Sequence, residues 1–292
     1  MVFENYYLYR AAIWLVTRLP RGFFNSVAGL VAELNFLFNS RSRRGIYANQ
    51  GHVLPPETSA WQRWRFARRA FRNFAYSVAD FFRLPQMSSD NLDRFVANVH
   101  GWEHLQAAVD AGMGGIFVSV HMGSIEMVGA YLGLRGIPLT VPALPHKDPR
   151  IDQIFVNSRE TTGIEVVSIG GALRKLEEAL TRKRFIALAA DRDVSGHGPR
   201  LPFFGEVTRM PVGHAFLALK TGAWIVPACI YRLPDGRSTV EIRPPIIPHP
   251  ATDTIDSLTL RCLEVLEELI RAHPEQWSSF FDLWHETELP VA

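Results

Sequence analysis

The stretch Gly115–Arg135, GIFVSVHMGSIEMVGAYLGLR, changes period in its middle. Gly115–Val120 is a continuous apolar run with no polar alternation, the pattern of a strand covered on both faces. His121 follows it directly, Gly123 and Ser124 supply a turn and an N-cap, and Ser124–Arg135 reads as a helix. A buried strand, a polar turn and a helix form the repeating unit of α/β folds, whose ligands sit at the carboxyl ends of the strands.

Downstream the alternation repeats. Strands are expected at Leu139–Leu144, Glu165–Ile169, Phe185–Ala189 and Trp224–Tyr231, with helices at Asp148–Thr162, Gly171–Arg182 and Pro211–Thr221. Val240–Ile246 closes the sheet, and Ser257–His273 is a long final helix. The expected fold class is α/β, a largely parallel central sheet flanked by helices.

Upstream the composition shifts. The whole chain of 292 residues has a net charge of +2, but residues 1–84 hold 12 arginines against Glu4, Glu33, Glu57 and Asp80. Helices are expected at Tyr6–Leu19, Phe23–Phe38 and Trp61–Arg83, the last mixing six arginines with Trp61, Trp64, Phe66, Phe71, Phe74, Phe81 and Phe82. Phe23–Phe38 includes Asn25, Glu33 and Asn35 and falls short of the roughly 20 apolar residues a span needs. Nor does Met1–Arg10 read as a secretory leader. Arginine with tryptophan and phenylalanine is the composition of helices lying in a membrane interface, so an anionic lipid surface is the expected partner. The plainer alternative is a helical lid whose arginines are solvated. Nucleic acid is not expected, because no helix-turn-helix, zinc-finger or RNA-binding pattern accompanies the charge. Residues 1–90 are thus read as an N-terminal membrane-associating region and 91–292 as an α/β domain.

Composition excludes other classes. With 47% hydrophobic and 21% charged residues the chain is neither disordered nor a charged tail protein. Two cysteines, Cys229 and Cys262, cannot build a disulfide framework or a zinc ribbon, so the chain reads as cytosol-facing. There is no Gly-x-Ser-x-Gly elbow, no Walker A loop, no Gly-x-Gly-x-x-Gly after a strand and no His-Glu-x-x-His; the ten histidines show no metal-ligand spacing, so no metal is expected.

What remains is His121 at a strand end with Glu126 five residues on. In the first turn of the helix Glu126 would be near enough to accept a hydrogen bond from the ring, fixing the tautomer that lets the other nitrogen act as a general base. Alternatively Glu126 merely favours the helix dipole. A base without a protein nucleophile points to direct attack of a hydroxyl on an activated acyl group. A second cluster follows strand Phe185–Ala189: Asp191, Arg192 and Asp193, a glycine-rich loop Ser195–Gly198, then Pro202-Phe203-Phe204-Gly205 and Arg209-Met210-Pro211. Charges at strand ends are costly unless paired or used, so the cluster is either a site or an ion pair bracing loops.

These pieces resemble the bacterial lipid A biosynthesis acyltransferase family, within the wider glycerolipid and lysophospholipid acyltransferases. HMGSIE matches its His-x4-Asp/Glu and RETTG, Arg159–Gly163, its Arg-x3-Gly; ADRD, PFFG, RMPVG and TGAWIVP follow in the family's order over about residues 95–285. The ADRD form is more similar to phosphatidylinositol mannoside acyltransferases than to lipid A enzymes. The resemblance implies a glycerolipid acyltransferase-like fold on the cytoplasmic face of the inner membrane, peripheral or monotopic. It implies transfer of a fatty acyl group from acyl-CoA or acyl carrier protein, with no resident cofactor, to a hydroxyl of a glycolipid or phosphoglycolipid. His121 would be the base and Glu126 its orienting carboxylate. Arg159, Asp191, Arg192 and Asp193 would shape the site and bind substrate; Phe203, Phe204 and Gly205 would form a loop beside the acyl groove; Arg209 would meet a lipid or donor phosphate. Met122-Gly123-Ser124-Ile125 departs from the family's more usual Phe-Gly-Asn-Trp, which bears on the acceptor preference. A thioesterase that activates water, or a non-catalytic membrane-binding protein, are the alternative readings.

Overall fold

The computed structural model describes residues 5–193 and 195–285; residues 1–4 and 286–292, the outermost parts of the two regions expected from sequence, lie outside it, as does residue 194. The chain opens with four helices, α1 (Tyr6–Arg18), α2 (Arg21–Phe38), α3 (Ser40–Val53) and α4 (Ala60–Phe81). Strand and helix then alternate: β1 (Val96–His100), α5 (Trp102–Asp110), β2 (Gly115–Ser119), α6 (Ile125–Leu134), β3 (Leu139–Ala143), α7 (Pro149–Glu160), β4 (Ile164–Ser168), α8 (Ala172–Thr181) and β5 (Phe185–Ala189). A small hairpin, β6 (Arg200–Phe203) and β7 (Glu206–Arg209), precedes α9 (Gly213–Thr221), β8 (Trp224–Arg232), β9 (Ser238–Ile242) and α10 (Ile255–Ala272).

Seven strands form one sheet in the order β1-β9-β8-β2-β5-β3-β4. The five from β8 to β4 run parallel; β9 is antiparallel to β8, and β1 is parallel to β9. The central strand β2 explains its own composition. Ile116 and Val118 face a layer with Leu176, Leu217 and Leu266 of α8, α9 and α10, whereas Phe117 faces the opposite layer with Leu105 and Met127 of α5 and α6. Both faces are dry, so both alternating sets must be apolar. The α/β fold and its mostly parallel sheet are therefore as the sequence indicates.

Local chemistry sets several boundaries. α4 begins in a capping box, with Ser59 accepting from the Gln62 backbone and Gln62 reaching back to Ser59. The Asp148 side chain caps α7, whose first residue is Pro149.

Besides β1 and α5, to which the sequence assigns no element, three features depart from the sequence expectation. The closing strand is shorter than Val240–Ile246, and Ile246 instead forms an isolated bridge to Ile225. β6 and β7 turn a stretch read as a loop into a hairpin, whose corner Phe204-Gly205 has φ of 51° and 81°, the twist that suits a two-residue connection. α3 was not foreseen because part of its buried face is polar: Asn49 and Gln50 are fully buried, and their amides bond the carbonyls of Ser279, Phe281 and Pro274. Gly45, on the same helix, allows the close approach. A Cβ there would lie 2.6 Å from the Phe280 carbonyl oxygen. The C-terminal segment after α10 is thus pressed between α3 and the strand ends.

Candidate active site

His121 and Asp191 meet because β2 and β5 are neighbours. Ser119 pairs with Ala189 at the ends of the two strands, and each chain continues two residues to reach its functional side chain. The His121 ring Nδ1 lies 2.7 Å from Asp191 Oδ1, and the His121 backbone N–H donates to Oδ2 at 3.1 Å. Asp191 is fully buried, while the His121 side chain is 32% exposed. Burial alone would push the Asp191 carboxyl up. The His121 ring beside it, with the hydrogen bonds from that ring, from the Trp277 indole and from the His121 amide, outweighs burial and holds it at about 2. The carboxylate is ionised at neutral pH and fixes the Nδ1–H tautomer, leaving Nε2 to take a proton.

Glu126 is therefore not the carboxylate on the ring. It lies in the first turn of α6 and binds Arg159 of α7 through two hydrogen bonds, Nε to Oε2 at 2.9 Å and Nη2 to Oε1 at 2.6 Å. Among the described residues it makes no hydrogen bond to His121. The turn between them is the physical reason. Gly123 has φ of +56°, and its Cα lies so close to the Ile230 carbonyl that a Cβ would fall 2.2 Å from that oxygen. Its N–H donates to the Gln276 carbonyl. The chain reverses there, and Glu126 emerges on the α7 side. The Arg159 guanidinium also lies over the Phe81 and Phe155 rings, and its charge is favoured despite burial by the Glu126 carboxylate.

The remaining sequence candidates separate into two groups. Asp193 shapes its own loop, its carboxylate accepting from the Ser195 amide and hydroxyl and from the Gly198 amide. Arg209 is exposed at the end of β7 and donates to the Gly198 carbonyl across that loop. Arg192 packs over the Phe281 ring. Phe203 and Phe204 are buried against Trp277, with Phe203 also stacked on Trp284; they belong to the core, not to an open groove wall. Gly205 completes the exposed corner of their hairpin. The structure thus brings together His121 with Asp191 and Glu126 with Arg159, and sets Asp193 and Arg209 around a neighbouring loop. Among the described residues no group of three or more histidines, cysteines or acids could hold a metal ion.

Two contributors had no sequence signal. The segment Pro274–Leu283, beyond the final helix expected at Ser257–His273 and given no element by the sequence, lies across the site: the Ser278 amide donates to the His121 carbonyl and the Trp277 indole to Asp191. Below it lies a buried charge cluster. Asp80 of α4 accepts from Ser124 Oγ at 2.8 Å and pairs with Arg232 of β8, with Arg83 beside it. Ser124 stands directly before α6, so the cluster ties the N-terminal helices to the turn that follows His121.

The comparisons with known proteins agree with these motifs. A family model described as bacterial lipid A biosynthesis acyltransferase matches residues 2–286. A phosphatidylinositol mannoside acyltransferase of Mycobacterium tuberculosis H37Rv is 34% identical over 211 residues, 70% of this chain and 66% of the relative, just under two thirds of its length. Its counterpart in Mycolicibacterium smegmatis is 31% identical over 74% of this chain and 71% of its own. The lipid A biosynthesis lauroyltransferase of Escherichia coli K12 is 24% identical over 91% and 86%. With a match that runs through the strand ends, the hairpin and the C-terminal segment alike, the chain belongs to the bacterial lipid A biosynthesis acyltransferase family.

Proposed function

We propose that the protein is an O-acyltransferase. It moves a fatty acyl group from an acyl thioester, acyl-CoA or acyl carrier protein, to a hydroxyl of a glycolipid, with a phosphatidylinositol mannoside the first acceptor to test. The observation that carries the reading is the His121–Asp191 contact, a partly exposed ring held from behind by a fully buried, ionised carboxylate. The names and similarity of the mycobacterial relatives support the acceptor class.

In the reaction His121 Nε2 takes the hydroxyl proton as the acceptor oxygen attacks the thioester carbonyl carbon. The tetrahedral intermediate collapses with cleavage of the carbon–sulfur bond. The imidazolium, stabilised by Asp191, returns its proton to the leaving thiolate. Glu126 acts through Arg159, whose guanidinium it orients; Arg159, Arg192 and Arg209 provide the positive charge for polar parts of donor and acceptor, and the Asp193 loop sets the position of Arg209. The base needs no protein nucleophile.

Residues 1–90 serve as the membrane-associating region and 91–292 as the acyltransferase domain, placed at the cytoplasmic face of the inner membrane. α2 supports this assignment. Phe23, Val27, Leu30, Leu34 and Leu37 form an exposed stripe at helical spacing, and Phe38 at its end is 82% exposed. Among the described residues no helix is long and apolar enough to cross a membrane, so this stripe would lie in the interface. Trp14 of α1 and Trp61 and Trp64 of α4 are also exposed, and Arg65 stacks over Trp61.

Product analysis with and without acceptor tests the reading. Palmitoyl-CoA should be consumed slowly alone and faster with phosphatidylinositol mannoside vesicles, with the label moving into lipid. Release of free palmitate at a rate indifferent to acceptor would make the protein a thioesterase and overturn the transferase reading.

A further inference from the structure

We propose that Trp277 is a positioning residue for the reaction: its indole N–H locks the plane of the Asp191 carboxylate so that one oxygen faces the His121 ring. This rests on the acyl transfer proposed above. The Trp277 Nε1–H donates to Asp191 Oδ2 at 2.9 Å, and the His121 amide donates to the same oxygen at 3.1 Å. Oδ1 is thereby left to the ring nitrogen at 2.7 Å. A buried aspartate held only by its backbone could still turn about its side-chain bonds. Two donors converging on Oδ2 from different segments remove that rotation, and the lone pair of Oδ1 stays on Nδ1.

The indole is itself fixed. Trp277 is fully buried, with Phe203 and Phe204 of the hairpin packed on its ring at centroid distances of 6.3 and 6.1 Å. Its backbone forms a bridge with Met122, and the neighbouring amide of Ser278 donates to the His121 carbonyl at 2.8 Å. One short segment thus holds the histidine through its main chain and the aspartate through a side chain. Packing alone would be served by any bicyclic ring of the indole's size; the N–H is what tryptophan adds. The buried hairpin phenylalanines then have a purpose in the site: they set the angle of the indole.

The test compares wild type with Trp277→Phe and with 3-benzothienylalanine in place of Trp277, a near-isostere whose sulfur replaces the N–H. Palmitoyl-CoA and vesicles carrying phosphatidylinositol mannoside are the substrates, and folding is checked by thermal melting. Both variants should lose about 10- to 100-fold in kcat, with KM for each substrate within about twofold. In an Asp191→Ala background Trp277→Phe should change kcat by less than about twofold, because its target is gone. A benzothienylalanine protein with wild-type kcat, or a loss that multiplies with that of Asp191→Ala, would overturn the assignment. A wild-type protein that transfers nothing would fail the proposed reaction rather than this role, and the role is then decided by nitrogen-15 NMR. The hydrogen-bonded His121 Nδ1–H resonance should shift or broaden in both variants, and an unchanged resonance would refute the role.

Discussion

Replacing Asp80 by alanine should unfold the joint between the N-terminal helices and the sheet more readily than any surface change. Asp80 is fully buried, accepts from Ser124 Oγ and pairs with Arg232, whose side chain is 8% exposed. Arg83, also buried, approaches its other oxygen at 3.9 Å. Removing the carboxylate leaves two guanidiniums in a low-dielectric cluster without the charge that faces them, a loss of about 3–5 kcal/mol. A typical native protein has ~5–15 kcal/mol in total, so the effect is large, about 5–8 °C in Tm for a chain of this size. Urea unfolding at pH 7, followed by tryptophan fluorescence, measures it directly. Replacing the cluster together, Asp80→Leu with Arg83→Met and Arg232→Met, should recover at least half of the loss, because the desolvation cost of all three charges disappears. A loss below about 1 kcal/mol in Asp80→Ala would show that the cluster is not the clamp described. Because Ser124 follows directly on the His121–Gly123 turn, the same variant should also lose activity at temperatures where it remains folded.

Three further outcomes follow from particular positions. Gly123→Ala should reduce acyl transfer at least tenfold, since a Cβ at φ of +56° meets the Ile230 carbonyl and must displace the turn that carries His121; activity measured beside thermal melting checks this. His214 is fully buried in α9, and burial pushes its ring down to about 4 from 6.5. The unfolded chain then binds more protons between these values, so stability is complete above about pH 6.5 and falls as pH drops to about 4, by ~3 kcal/mol. The gap between urea midpoints at pH 7 and 4.5 should narrow in His214→Leu, with His52 and His273, also pushed down by burial, keeping part of it, whereas Asp191 would act only below pH 3.8. Leu30→Ala with Leu37→Ala should weaken partitioning onto anionic vesicles by about 100-fold, about 3 kcal/mol of apolar burial lost, with cosedimentation as the assay; unchanged sedimentation would remove α2 from the membrane face.

The sheet was legible because its strands are buried on both faces and its helices are amphipathic, so both periods stand out from Gly115 to Ile242. The candidate residues were legible too, as charges that follow apolar strands. What the sequence could not show was which strands are neighbours. His121 and Asp191 lie 70 residues apart and meet only because β2 and β5 pair in register. Glu126, close in sequence, offered the nearer partner, and only the reversal at Gly123 reveals that it turns toward Arg159. α3 and the Pro274–Leu283 segment were illegible for a related reason. Beside Ile46, Trp277 and Phe281 they are held by hydrogen bonds from buried Asn49, Gln50 and Gln276 to main-chain carbonyls, and these interrupt any hydrophobic period. The PFFG motif was visible, but as a loop beside an acyl groove; its aromatic rings pack in the core against Trp277, behind Asp191.

The central claim, that His121 held by Asp191 is the base of an acyl transfer, is tested most directly by following radiolabelled palmitate from palmitoyl-CoA into phosphatidylinositol mannoside vesicles. Wild type should be compared with folded His121→Ala, Asp191→Asn and Glu126→Gln. The account predicts a labelled glycolipid with wild type, no detectable product with His121→Ala, and a kcat lowered by ~10²–10⁴ in Asp191→Asn, where the wrong tautomer is favoured. Equal labelling by His121→Ala would contradict it, and so would a loss in Glu126→Gln greater than that in Asp191→Asn.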